Sequence, residues 1–348
     1  MSDGNLDSII SRSIEQVGAA YGVKMMQGYL RSKGFMVGRY RVQASLRRVN
    51  PEYHERRRND TVRQTNPIPY YAAYHGDKLH VDQNEKLVRF GVTEVVFSDG
   101  YSRQIIDYII LPIKNPIQIY GKFRDILLNH GIWNTLRSDH GTEFCLTGFI
   151  QNKLKNYRTD TRKQAYTQTR SLENLRAERK WPEINQRVNY PVKNALIDLQ
   201  RLQVIDMSDE MHRFCVSFVT TIIVEEGVKL VISSWNSHPL EGIVSRIPDD
   251  LARRTNRVAR LLQDGVPTMQ EAITEYEATG GNLTRTSYFG RDPLAGNNTL
   301  IDQRERRFLA EIEPPPRIFG QLVNGNITPF RHAIVSFINA TIEIQIVN

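Results

Sequence analysis

Apolar residues recur at helical spacing through the first fifty positions. Val17, Tyr21, Met25 and Leu30 fall on one face, and Gly34 supplies a stop. A second helix is predicted over residues 39–49, with Val42, Leu46 and Val49 on its apolar stripe. Helix, Gly-containing turn and Arg-rich helix have the outline of a helix-turn-helix unit. The period is lost over residues 51–73, where Arg56-Arg57-Arg58 and Asn66-Pro67-Ile68-Pro69 give the composition of a linker. Residues 78–82, 91–97 and 103–113 then read as three strands of a meander, separated by the polar turns Gln83-Asn84-Glu85 and Ser98-Asp99-Gly100. A helix over 117–130, a short strand over 135–138 ending at Asp139-His140-Gly141, a helix over 143–155 and a strand over 164–169 follow. Residues 171–202 are mainly helical, with interruptions at Pro182 and Pro191. Strands in series followed by alternating helices predict an α/β domain with a mixed sheet flanked by helices. The apolar run over 214–235 has no clean period and fits a buried helix or two strands. Residues 257–263 and 269–278 read as helices, 311–316 as a Pro-rich break, and 334–347 as an apolar, β-branched tail.

Composition narrows the class. The chain has 348 residues, 40% of them hydrophobic and 24% charged, enough to build a sizeable core. Its start, Met1-Ser2-Asp3-Gly4, lacks the basic and apolar regions of a secretory leader, and the run from Phe214 to Val224 stops at Glu225-Glu226, too short to span a bilayer. Both features predict a soluble intracellular protein. The two cysteines, Cys145 and Cys215, cannot form a disulfide framework or a Cys-based zinc module, and read as small apolar residues. The formal charge is +8, and its placement matters more than its size. Residues 31–58 hold nine Arg or Lys against two Glu, and residues 153–180 hold nine basic residues against three acidic. Clustered basic charge favours a polyanion, since each neutralised phosphate releases condensed counterions. Neither segment has the apolar face that a membrane-surface helix needs.

Three acids between and beside these clusters can carry chemistry. Asp82 stands at the predicted end of the first strand, Asp139 just past a later strand, and Glu178 on a helix that can cross the same sheet edge. Phosphoryl transfer at a DNA phosphate uses two Mg²⁺ ions about 3.5–4 Å apart, and Mg²⁺ prefers carboxylate oxygens. An isolated Asp after a strand is more often a turn former, so the surroundings decide.

Those surroundings resemble the integrase core domain family of DDE integrases and transposases, in the form carried by eukaryotic transposons. Leu79-His80-Val81-Asp82-Gln83-Asn84-Glu85-Lys86-Leu87 is similar to the family's first-Asp motif, and Ser98-Asp99-Gly100-Tyr101-Ser102-Arg103 to the strand that follows. Arg137-Ser138-Asp139-His140-Gly141-Thr142-Glu143-Phe144 resembles the second-Asp motif, and Asn174-Leu175-Arg176-Ala177-Glu178-Arg179-Lys180-Trp181 the third. The intervals of 56 and 38 residues between the three acids suit the family, and Trp235-Asn236-Ser237-His238-Pro239 resembles the segment that closes such cores. The resemblance implies a ribonuclease H-like fold over residues 76–250, and the pattern and charge read above add a helical DNA-binding module over 1–52, a linker over 53–75 and a C-terminal extension over 251–348. It further implies cut-and-join chemistry on DNA, with two Mg²⁺ or Mn²⁺ ions held by Asp82, Asp139 and Glu178, transposon ends and target DNA as partners, a homo-oligomeric assembly and a nuclear location.

Arg39, Arg41, Arg47, Arg48, Lys153 and Lys155 are the expected phosphate contacts. Asn174, one helical turn before Glu178, either touches a phosphate or caps a helix. Asp99 reads as a turn residue, Glu143 as a first-turn acid, and His80 and His140 as structural. Pro182, four residues after Glu178, predicts that the helix bends or ends between them. Two rival readings stand: a non-catalytic DNA-binding scaffold that retains the fold, and a metal-dependent nuclease without joining activity.

Overall fold

The computed structural model describes residues 1–51, 70–169, 180–240 and 246–347. Three helices open the chain: α1 (Asp3–Val17), α2 (Val23–Ser32) and α3 (Arg39–Val49). The Ser2 side chain caps α1 by accepting from the Asn5 N–H at 3.3 Å. The long first helix suggested by periodicity is therefore two helices, divided at Gly18.

Five strands form one sheet in the order β3-β2-β1-β4-β5. They are β1 (Lys78–Leu87), β2 (Val92–Asp99), β3 (Ile105–Leu111), β4 (Thr135–Ser138) and β5 (Tyr166–Gln168). The first three run antiparallel as a meander, while β4 and β5 lie parallel to β1 and to each other. Parallel pairing needs crossover connections. They are supplied by α4 (Pro116–Asn129) before β4 and α5 (Cys145–Lys153) before β5. This mixed sheet flanked by helices is the α/β, ribonuclease H-like fold expected from the sequence.

The polar triplet Gln83-Asn84-Glu85 is not a turn. Gln83 and Asn84 stay paired with Val95 and Glu94 of β2, and pairing resumes at Leu87 after a bulge. Asp82 consequently lies inside β1, opposite Val96, rather than at the strand's end. The reversal comes later, through a 3-10 turn over Val88–Phe90 and Gly91 at φ 69°. A Cβ at Gly91 would also meet the Phe289 ring at 2.3 Å, so close packing adds to the conformational demand.

Beyond the sheet come α6 (Trp181–Ile184), a π-turn over Asn185–Asn189, and α7 (Tyr190–Arg201). The ambiguous apolar run is one 28-residue helix, α8 (Glu210–Ser237), started by the Asp209 side chain on the His212 N–H. Its lack of amphipathic period follows from burial on several sides, between α2, the sheet and the last helices. At the α2 crossing, a Cβ on Gly28 would stand 2.1 Å from the Ser234 carbonyl oxygen, so only glycine lets the two backbones meet there. The chain ends with α9 (Pro248–Thr255), α10 (Met269–Ala278), α11 (Asn298–Glu311), α12 (Pro315–Val323) and α13 (Thr328–Val347). Residues 257–263 are not the helix expected. Ala259 makes a bridge with Ile132, and its partly buried side chain packs beside Val258 against the core.

Each face of the sheet builds a core. Leu79, Val81, Val95, Phe97 and Leu136 pack against α4, α5 and α10. On the other face, Val96 and Ile105 join Leu6 and Ile10 of α1, Met26 of α2, Val42 of α3, the α8 side chains and Phe337 of α13 in one cluster. The N-terminal helices and the C-terminal extension thus share a single hydrophobic core with the sheet. No helix among the described residues is long and apolar enough to cross a membrane.

Candidate active site

Strand pairing sets the strands that carry the two aspartates side by side. β1 and β4 are parallel, with Lys78, Leu79 and His80 level with Thr135, Leu136 and Arg137. Asp82 lies on β1 two residues beyond that pairing, and Asp139 directly follows the last residue of β4. Alternation fixes the face on the strands themselves: Leu79, Val81 and Leu136 point into the α4–α5 core, so His80, Asp82 and Arg137 take the opposite face.

Each carboxylate is oriented by named groups. The Trp181 indole N–H donates to Asp82 Oδ2 at 2.8 Å, and Asp82 Oδ1 accepts from the Gln83 N–H at 3.0 Å. Asp139 Oδ1 accepts from the Gly141 N–H at 3.0 Å, while its carbonyl accepts from the Ser138 hydroxyl at 2.8 Å. Both side chains are half-buried. Their donor set is oxygen only, which suits a hard divalent cation. Glu178 and Asn174 lie outside the described residues. Trp181, three positions after Glu178, begins α6, with Pro182 in its first turn, where a missing N–H costs no intrahelical bond. Among the described residues, no group of three His, Cys, Asp or Glu side chains could hold a metal.

The neighbouring polar groups divide into scaffolding and surface. Asp99 organises the β2–β3 turn, accepting from the N–H groups of Gly76, Tyr101 and Ser102 and from the Trp133 indole at 2.6–3.0 Å. Burial alone would raise its carboxyl, but His75, the Gly76 N–H and the Trp133 indole outweigh that and hold it at about 2. Glu143 sits in a 3-10 turn (Thr142–Phe144) and is ion-paired with Lys114 at 3.3 Å, which also reaches Glu85. His80 is fully buried against the Tyr70 hydroxyl at 2.7 Å, whereas His140 is exposed. The closing Trp-Asn-x-His segment clamps the sheet edge. Trp235 donates to the Arg103 carbonyl, held at φ 62°, and the Asn236 amide bonds both the N–H and the carbonyl of Ile105.

The expected phosphate contacts are spread over several surfaces. On α3, Arg41 pairs with Asp3 at 2.6 Å and Arg48 with Asp7 at 2.8 Å, while Arg39 and Arg47 are exposed. Lys153 pairs with Glu275 of α10, and Lys155 is exposed. Arg158, in the middle of the basic loop, turns inward and donates to the carbonyls of Asn134, Lys155, Thr161 and Lys163, so it shapes the loop.

One polar cluster escaped the sequence reading. Asn84 of β1 donates to Asn185 at 2.7 Å, and Asn189 donates to Asn185 at 2.9 Å and to Glu94 of β2 at 2.8 Å. It ties the strand bearing Asp82 to the π-turn that follows Trp181. Only the paired asparagines four apart, Asn185 and Asn189, hint at it in the sequence, and nothing there points to Glu94.

The model of the integrase core domain family matches residues 70–260, a span holding all five strands, both aspartates and the clamp at Trp235-Asn236. A search of curated proteins finds no match. With more than half of its length in that match, the chain belongs to the integrase core domain family.

Proposed function

We propose that this protein is a DDE-type polynucleotidyl transferase that nicks DNA ends and joins them to target DNA, with Asp82, Asp139 and Glu178 holding two Mg²⁺ or Mn²⁺ ions. The carrying observation is the parallel β1–β4 pairing, which sets the strand of Asp82 beside the strand that leads into Asp139. One carboxylate on a strand and one in the short turn just after the neighbouring strand are both held by the rigid sheet. The half-buried oxygen donors fit a hard cation, and family membership supports the same chemistry. When bound, divalent ions activate the attacking oxygen and stabilise the departing one.

The chain's own residues act by positioning. Trp181 fixes the Asp82 carboxylate through Oδ2, and the Gly141 N–H fixes Asp139. Hydrolysis transfers the scissile phosphate to water and releases a 3′-hydroxyl; joining then uses that hydroxyl as the in-line nucleophile on a target phosphate, breaking its bond to the target strand's 3′-oxygen, which leaves as a hydroxyl. Exposed Arg39, Arg47 and Lys155 add phosphate contacts away from the centre. DNA as substrate, self-assembly and a nuclear site of action belong to the same proposal.

A Mg²⁺ titration of nicking and strand joining on duplexes tests it. Wild type should show both activities, and Asp82→Asn or Asp139→Asn should abolish them while DNA affinity stays similar or rises, since a charge repelling phosphate is removed. Activity retained in either variant would overturn the metal assignment. DNA binding by wild type without nicking in Mg²⁺ or Mn²⁺ would instead establish the scaffold reading.

A further inference from the structure

The sheet face that bears Asp82 continues, toward the start of β1 and β4, into a second feature. A groove of about 390 Å³ is lined by Tyr71, Lys78, Thr135, Arg137, Lys163 and Thr167, with Asp77 at its floor. The register explains the grouping. Lys78 is level with Thr135, and Arg137 with Thr167, so their side chains share the face of Asp82. Lys78 lies four residues before Asp82 and Arg137 two before Asp139. At about 3.3 Å per residue the groove begins about 7 Å from the carboxylates at Arg137 and reaches about 13 Å at Lys78, roughly two to four steps of duplex rise.

Among the described residues its lining holds three cations and one carboxylate, Asp77, which is paired with Lys163. Lys78 is held over the Tyr70 ring at 5.1 Å and donates to the Tyr71 carbonyl at 2.8 Å. Burial lowers its ammonium pKa against the opposing pull of Asp77, and the Arg137 and Lys163 charges lower it further. Arg137 donates to Thr169 at 3.1 Å, which aims its guanidinium along the β4–β5 edge. Beside these cations, Tyr71 is 75% exposed. Cations interleaved with an exposed ring match a strand with anionic phosphates and flat bases, whereas an acidic peptide would gain nothing from the ring.

We propose that this groove is a track for a DNA strand leaving the aspartates, with Lys78, Arg137 and Lys163 on its phosphates and Tyr71 stacked on an unpaired base. This rests on the DNA-processing function proposed above. It adds a direction: the strand passes from the carboxylates over Arg137 toward Lys78 and Lys163. The ion pair with Asp77 holds the Lys163 ammonium in place for that contact.

Fluorescence anisotropy of the full chain with short labelled single-stranded DNA, repeated over a range of salt, tests the track. Lys78→Gln combined with Lys163→Gln should lower the slope of log affinity against log salt by about 1.4, since each single-strand phosphate contact contributes about 0.7. Tyr71→Ala should weaken binding roughly five- to a hundredfold with the slope unchanged. If the double variant fails to fold because Asp77 is stranded, Lys78→Gln in a Lys163→Arg background keeps the ion pair and should lose about 0.7 of slope. Wild type that binds DNA with variants indistinguishable from it overturns the track and leaves the function standing. Equal displacement of the DNA by polyglutamate from wild type and Tyr71→Ala also overturns the track. Wild type that binds no DNA overturns both.

Discussion

Replacing Glu94 by glutamine should make the protein more stable at pH 8 and leave it nearly unchanged at pH 4.5. Glu94 is 3% exposed on β2, opposite Asn84. Its Oε2 accepts from Asn189 at 2.8 Å, while its Oε1 and the Asn189 Oδ1 have no hydrogen-bond partner among the described residues. Burial pushes the carboxyl up from 4.5 to about 7, against the opposing pull of the Asn189 and Asn84 amides. A raised carboxyl pKa means that the folded state holds the proton more tightly than the unfolded chain. The benefit is therefore complete below pH 4.5 and is lost progressively as the pH rises to about 7. At about 1.4 kcal/mol per pH unit, the whole interval corresponds to about 3 kcal/mol. Glutamine cannot ionise, keeps an acceptor for Asn189 and offers an N–H to the unpartnered Asn189 oxygen. For a chain of this size, with about 2.1 cal/mol/K of unfolding entropy per residue, that is a rise of about 4 °C in Tm at pH 8. Thermal unfolding of both proteins at pH 4.5, 6 and 8 reads it directly. A Tm difference independent of pH, or a variant less stable at pH 8, would show that burial does not raise the Glu94 carboxyl and would refute the argument.

Four further outcomes follow from the site. Trp181→Phe keeps the ring and deletes the N–H on Asp82, so Mg²⁺-dependent nicking should fall about 10- to 100-fold, with unchanged DNA affinity in an anisotropy titration. Asp99→Asn removes the charge that several N–H groups converge on and should lower stability by about 3 kcal/mol in urea unfolding at pH 7. Wild type should lose that contribution as the pH falls from 3.8 toward 2, the interval between the ordinary carboxyl value and the folded one. Pro182→Ala, in the first turn of α6, should cost at most about 1 kcal/mol, through a less constrained unfolded chain, and should retain nicking. Arg39→Gln with Arg47→Gln, both exposed on α3, should flatten the salt dependence of duplex binding by up to about 1.8. Deleting residues 1–50 is a poorer probe, because Leu6, Ile10, Met26 and Val42 belong to the main core and the remainder should not fold.

Local pattern was sufficient for much of this protein. The period-2 alternation of Leu79 and Val81 against His80 and Asp82 decides which residues face the core whatever the strand's neighbours are. The 3.6-residue period of α3, α4 and α10 likewise follows from one buried face each. The motif around Asp139 was recognisable because a short strand, an Asx turn and a glycine are read from adjacent residues. Elements whose polarity is set by distant partners were not legible. Asn84 looks like a turn residue until Asn185, far away in the chain, and its β2 partner Glu94 satisfy it inside a sheet. The run from Phe214 shows no helical period because several elements cover it, and residues 257–263 are held extended by Ile132 rather than by their own sequence. The placing of Asp82 and Asp139 is of the same kind. The sequence supplies two aspartates with 56 residues between them, and only the parallel register of β1 on β4, held by the packing of α4 and α5 beneath them, sets their strands side by side. A carboxylate's chemistry is local, but its company depends on contacts between segments far apart in the chain, which only the folded core brings together.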